Sequence, residues 1–68
     1  MITEIGIIAG EILNFLDRYQ RTNLEELVLG IEKPKEVILM SLGWLARNGH
    51  VLIKNEENIY QISLRGKV

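Results

Sequence analysis

One stretch, PKEVILMSLGWLARNG from Pro34 to Gly49, limits the possible folds more than any other part of the chain. Proline suits the first helical position, where its missing N–H would have no partner, and glycine suits the position just past a helix end, where the backbone turns left-handed. The bracket predicts about four turns of helix over 34–48. At about 100° per residue, Val37, Ile38, Ser41, Leu42 and Leu45 share one face, with Glu36, Gly43 and Arg47 opposite. Leu39, Met40, Trp44 and Ala46 fall between these faces, so the helix carries more apolar surface than one buried stripe needs. Directly after Gly49 the β-formers begin, and the helix must pass into a strand through a single turn.

The rest of the chain supplies elements to surround this helix. Ile2, Ile5, Ala9, Ile12, Leu13, Leu16 and Tyr19 recur at helical spacing, and Ile8 and Phe15 widen the stripe to about 160°, which predicts a helix over 2–19. Ile7 interrupts its polar face, and Gly6 and Gly10 are small enough to let another helix approach. Gln20 and Arg21 read as a turn, with Thr22 a single extended residue. Asn23 is an N-cap residue with Glu26 three positions on, the pattern of a capping box. The short helix it opens is predicted over 24–29, with Leu24, Leu27 and Val28 inward and Gly30 as its stop. Two helices joined by a tight connection make a helix-turn-helix. His50 to Lys54 and Ile59 to Leu64 then read as strands, 50–54 and 59–64, joined by a four-residue loop from Asn55 to Asn58. In the second strand Tyr60, Ile62 and Leu64 form an apolar face against Ile59, Gln61 and Ser63. The expected fold class is α+β: one domain over 1–68, a winged helix-turn-helix of three helices followed by a two-stranded β-hairpin wing.

Two segments carry a more specific likeness. Ile5-Gly6-Ile7-Ile8-Ala9-Gly10-Glu11-Ile12-Leu13 and Leu42-Gly43-Trp44-Leu45-Ala46-Arg47-Asn48-Gly49 resemble the small microbial winged helix-turn-helix family of uncharacterised proteins, marked by an IGxxAGxIW-like first helix and an LGWLAR-G segment. Leu13 departs from the large aromatic of that pattern. The resemblance spans nearly the whole chain and implies the same fold; it transfers no site.

Composition narrows the chemistry. A chain of 68 residues buries only about 60% of its unfolded surface, and with no cysteine and one histidine it has neither a disulfide nor an intrachain metal staple. A dense aliphatic core or oligomerisation remains. Catalysis needs a nucleophile or acid–base group beside an orienting partner, and none is apparent: His50 falls at a strand start, and Glu25 and Glu26 complement a helix dipole. The expectation is a protein that is not an enzyme, with no cofactor, metal or small-molecule substrate. No apolar run approaches the roughly 20 residues that span a bilayer, and no signal-peptide pattern opens the chain, so a cytoplasmic location is expected.

Two binding modes then compete. In winged helices that read DNA the third helix enters the major groove and the wing meets the backbone. The cations available are Lys33, Lys35, Arg47 and Lys54, with Arg18, Arg21, Lys54, Arg65 and Lys67 as a second patch if they converge. The net charge is −1, the pI about 5.7, and the wing tip carries Glu56 and Glu57, so DNA is disfavoured, because duplex affinity comes largely from neutralised phosphates. The favoured reading uses Leu39, Met40, Gly43, Trp44 and Ile7 for protein contact, as a homodimer or with another protein partner. Against it stands a packing role for Trp44 beneath the wing, on Val51 or Ile62. Sensing of a small molecule between subunits has only the apolar surface in its favour.

Overall fold

The computed structural model describes residues 2–65, with Ile2 and Thr3 in backbone only. Lys67, counted in the second basic patch, lies outside the described residues. The elements follow in the order α1 (Ile2–Tyr19), β1 (Arg21–Asn23), α2 (Leu24–Ile31), α3 (Lys35–Arg47), β2 (Val51–Glu56) and β3 (Ile59–Leu64). This is the expected winged helix-turn-helix order, with one addition. The single extended residue at Thr22 grows into a three-residue strand, and the wing becomes a three-stranded antiparallel sheet in the order β1-β3-β2. Thr22 lies opposite Ile62 on one side of the central strand, and Ile53 lies opposite it on the other.

The apolar spacing of α3 translates directly into burial. Val37, Ile38, Ser41, Leu42 and Leu45 all face inward and join Ile8, Ala9, Ile12 and Leu16 of α1, Leu27 of α2, and Val51 and Ile62 of the sheet in one core. The Ser41 hydroxyl sits inside this aliphatic contact and donates to the Ile5 carbonyl at 3.4 Å, which satisfies a polar group that would otherwise be costly there. Tyr19 departs from the expected stripe and is exposed: the chain turns away at Gln20 (φ 68°), and the Tyr19 ring packs on Phe15 at 4.7 Å instead. Gly6 and Gly10 also depart from expectation. A Cβ built on either would meet no atom within 4 Å, so none of the described helices approaches α1 there.

The ends of the helices show where local chemistry decides. Asn23 Oδ1 accepts from the Glu26 N–H at 2.8 Å, the first half of the predicted capping box. The Glu26 carboxylate accepts instead from the buried Thr22 hydroxyl at 3.1 Å. Gly30 does not stop α2. It lies inside the helix, where a Cβ would collide with the Phe15 ring, and the left-handed residue that ends the helix is Glu32 (φ 59°), whose N–H donates to the Val28 carbonyl. Pro34 is the N-cap of α3 rather than its first helical residue, its carbonyl accepting from Val37 and Ile38.

The exit from α3 matches its sequence. His50 N–H donates to the Leu45 carbonyl and Gly49 N–H to Ala46, the paired bonds of a Schellman motif, with Gly49 at φ 77°. Arg65 N–H then donates to the His50 carbonyl, closing the base of the hairpin. The hairpin loop is shorter than the four residues expected. Asn55 pairs with Tyr60 and Glu56 with Ile59, leaving only Glu57 (φ 53°) and Asn58 (φ 67°) in a turn with positive φ at both centres, the type I′ geometry that matches strand twist.

Candidate functional site

The surface with the strongest claim is the outer side of α3. Because the inward face takes Val37, Ile38, Ser41, Leu42 and Leu45, helical spacing throws Leu39, Met40, Gly43, Trp44 and Arg47 outward, and all five are exposed. Trp44 keeps 50% of its surface in solvent. It therefore does not fill the core under the wing; its ring lies 6.5 Å from that of His50, where α3 hands over to β2. A Cβ at Gly43 would meet nothing within 4 Å, so the backbone there is bare between flanking apolar side chains. Asn48 holds the end of this face by donating its side-chain amide to the Trp44 carbonyl at 2.8 Å.

Ile7 does not join that patch. It is 60% exposed, but it projects from α1 opposite the buried stripe through which α1 packs on α3. The four cations considered for DNA are likewise not gathered together. Lys33 and Lys35 lie at the start of α3 and Arg47 at its end, about 18 Å along the axis from Lys35 at the helical rise. Lys35 borders a cleft with Glu25, Asn58 and Tyr60. Lys54 projects from the solvent-facing side of the sheet and pairs with Glu56 at 3.9 Å, which offsets its charge.

The sheet adds apolar surface that the sequence reading passed over. Leu52 and Ile53 on β2, and Ile59 and Tyr60 on β3, are all exposed. The signal was present in the unbroken apolar run Val51-Leu52-Ile53, which puts large side chains on both sides of a strand having the core on one side only. Between Arg21 of β1 and Leu52 of β2 an open groove of about 550 Å³ crosses the outer sheet surface, floored by Gln61 and Ser63. Among the described residues, no group of three or more His, Asp or Glu is placed to hold a metal ion, and no helix is long and apolar enough to cross a membrane.

Comparison with solved structures finds the same arrangement in a structural-genomics protein from Bacteroides thetaiotaomicron, determined in solution by NMR. The two superpose with a TM-score of 0.81 at 24% identity over 91% of this chain and 76% of that one, a likeness of fold. No curated protein matches the sequence. A family model described as a winged helix-turn-helix domain matches residues 1–64, from the first turn of α1 to the last residue of β3. The chain belongs to this family of winged helix-turn-helix domains, DUF2582.

Proposed function

We propose that this winged helix is a non-enzymatic interaction module, and that the outer face of α3 docks on a protein surface instead of in a DNA groove. The observation that carries this reading is the exposure of Leu39, Met40 and Trp44 around the bare backbone of Gly43. Trp and Met are enriched at interface cores, and a glycine among them lets a partner backbone come close. The same position in a DNA reader would present groups for phosphates and base edges. Here the outer face offers Arg47 with Glu36 and four apolar or bare positions.

Trp44 is the only tryptophan, so it reports on its own surroundings. Docking moves its emission to shorter wavelength and shields it from iodide, and Leu39→Glu or Met40→Glu abolishes the change while the circular dichroism stays that of the native fold. If those variants leave partner capture and self-association as they were, α3 is not the contact surface. The DNA reading makes the opposite forecast: retention of duplex at low salt, a steep loss with added salt, and weakening by Arg47→Ala.

A further inference from the structure

We propose that β2 is a self-complementary edge, and that two copies of this chain join by antiparallel β2–β2 pairing centred on Ile53 into one six-stranded sheet. The inference shares with the preceding reading only the premise that the domain works through protein contact. It stands on a different element.

In the order β1-β3-β2 the outer side of β2 has no strand beside it among the described residues. Which of its backbone groups are free follows from the hairpin. In a two-residue turn the flanking residues exchange both hydrogen bonds, so Glu56 points its N–H and C=O toward Ile59 of β3. The alternation continues through Lys54 and Leu52, and the Arg65 N–H bond to the His50 carbonyl confirms its phase at the far end. Val51, Ile53 and Asn55 therefore aim their N–H and C=O groups outward. Residues Leu52 to Glu56 are all exposed, so among the described residues neither a helix nor a loop covers this edge.

Edge strands are usually protected by proline, by a bulge, by shortness or by charge. β2 has six residues without proline, its register with β3 runs unbroken from Val51 to Glu56, and its one cation, Lys54, is tied to Glu56 on the same strand. The occupant is set by the strand's own pattern. A second β2 laid antiparallel about Ile53 places Val51 against Asn55 of the copy and Ile53 against Ile53, matching every outward donor to an acceptor for about six backbone hydrogen bonds. No other register of two β2 strands uses all three residues. In this one the Lys54 stem lies over Leu52 of the copy, and Glu56 comes opposite His50, so no like charges face each other directly. Ile53, 41% exposed as a monomer, meets its own equivalent at the two-fold axis.

Sedimentation velocity from about 1 μM to about 500 μM, with amide exchange on the same samples, tests the proposal. The expected result is a concentration-dependent dimer in which the amides of Val51, Ile53 and Asn55 slow as concentration rises. Ile53→Pro removes an outward donor at a position where an edge strand tolerates proline, and Ile53→Lys sets two charges face to face at the axis. Both become monomeric at every concentration, whereas Leu39→Glu on α3 still dimerises. Should Ile53→Pro unfold, Ile53→Lys and the wild-type exchange decide. A monomer throughout, or exchange that ignores concentration, overturns the β2 edge and leaves docking by α3 standing. A dimer lost with Leu39→Glu but kept with Ile53→Lys also overturns it and assigns self-association to α3.

Discussion

Alanine substitutions at Gly10 and Gly30 ought to change stability in opposite directions, although both glycines lie inside helices. Glycine in a helix interior costs about 1 kcal/mol relative to alanine, chiefly through backbone entropy. At Gly10 a Cβ enters open space, so nothing offsets that gain. Gly10→Ala should stabilise the domain by roughly 0.5–1 kcal/mol and raise Tm by about 3–7 °C for a chain of this size. At Gly30 the new Cβ runs into the Phe15 ring, with Cζ and Cδ2 also only 3.1 and 3.3 Å away. On one side the ring is flanked by Tyr19, whose centroid lies 4.7 Å away, so a shift to make room disturbs that packing. Overpacking of this kind costs about 1–3 kcal/mol, and Gly30 sits one residue from the end of α2, where the propensity gain is smallest. The net expectation for Gly30→Ala is a loss of about 1–2 kcal/mol. Urea titration of both variants measures the pair, and a double-mutant cycle with Phe15→Leu isolates the cause, since relieving the ring should recover most of the loss. A Gly30→Ala protein as stable as Gly10→Ala would refute the claim that Phe15 dictates the glycine.

Three further outcomes follow from the capping and packing. Asn23→Ala removes the acceptor for the Glu26 N–H and should cost about 1 kcal/mol, read as a lower urea midpoint with an unchanged slope. Leu45→Ala empties a fully buried site between α1 and the sheet and should cost about 2–5 kcal/mol, enough to leave so small a domain largely unfolded by circular dichroism. Lys54→Gln breaks an exposed pair and should move stability by less than about 0.5 kcal/mol in a thermal melt at any salt concentration.

What could be read in the residues was whatever is local and periodic. Val37, Ile38, Ser41, Leu42 and Leu45 lie within one helix, and a period of 3.6 names its buried face without reference to anything else. The Schellman turn at Gly49 and the Asn23 cap are equally local. The misreadings turned on what stands opposite a residue in space, which its neighbours in sequence do not state. Gly30 looked like a helix stop because the ring that demands it belongs to Phe15, on another helix. Thr22 looked like one extended residue because the strand that completes β1 lies beyond residue 60. Gly6 and Gly10 looked like a packing surface, yet no element comes to meet them. The hairpin loop was overestimated because Asn55 and Glu56 are poor strand formers, and cross-strand pairing with Tyr60 and Ile59 overrides their propensity. For the candidate surface, periodicity separated Leu39, Met40 and Trp44 from the core face but could not say whether the wing would cover them.

The place of β3 in the sheet has a bearing on how the chain is made. It is the central strand, bonded to β1 on one side and β2 on the other, and it leaves the ribosome after the five elements it organises. Until residues 59–64 have emerged, Arg21 to Asn23 has no ladder, Val51 to Glu56 has no partner, and the core lacks Ile62. A nascent chain stopped before Ile59 is then a set of helices with an open apolar face, vulnerable to proteases and dependent on chaperones. Completion of β3 converts it in one cooperative step, so protease resistance should rise abruptly as residues 59–64 emerge instead of accumulating helix by helix.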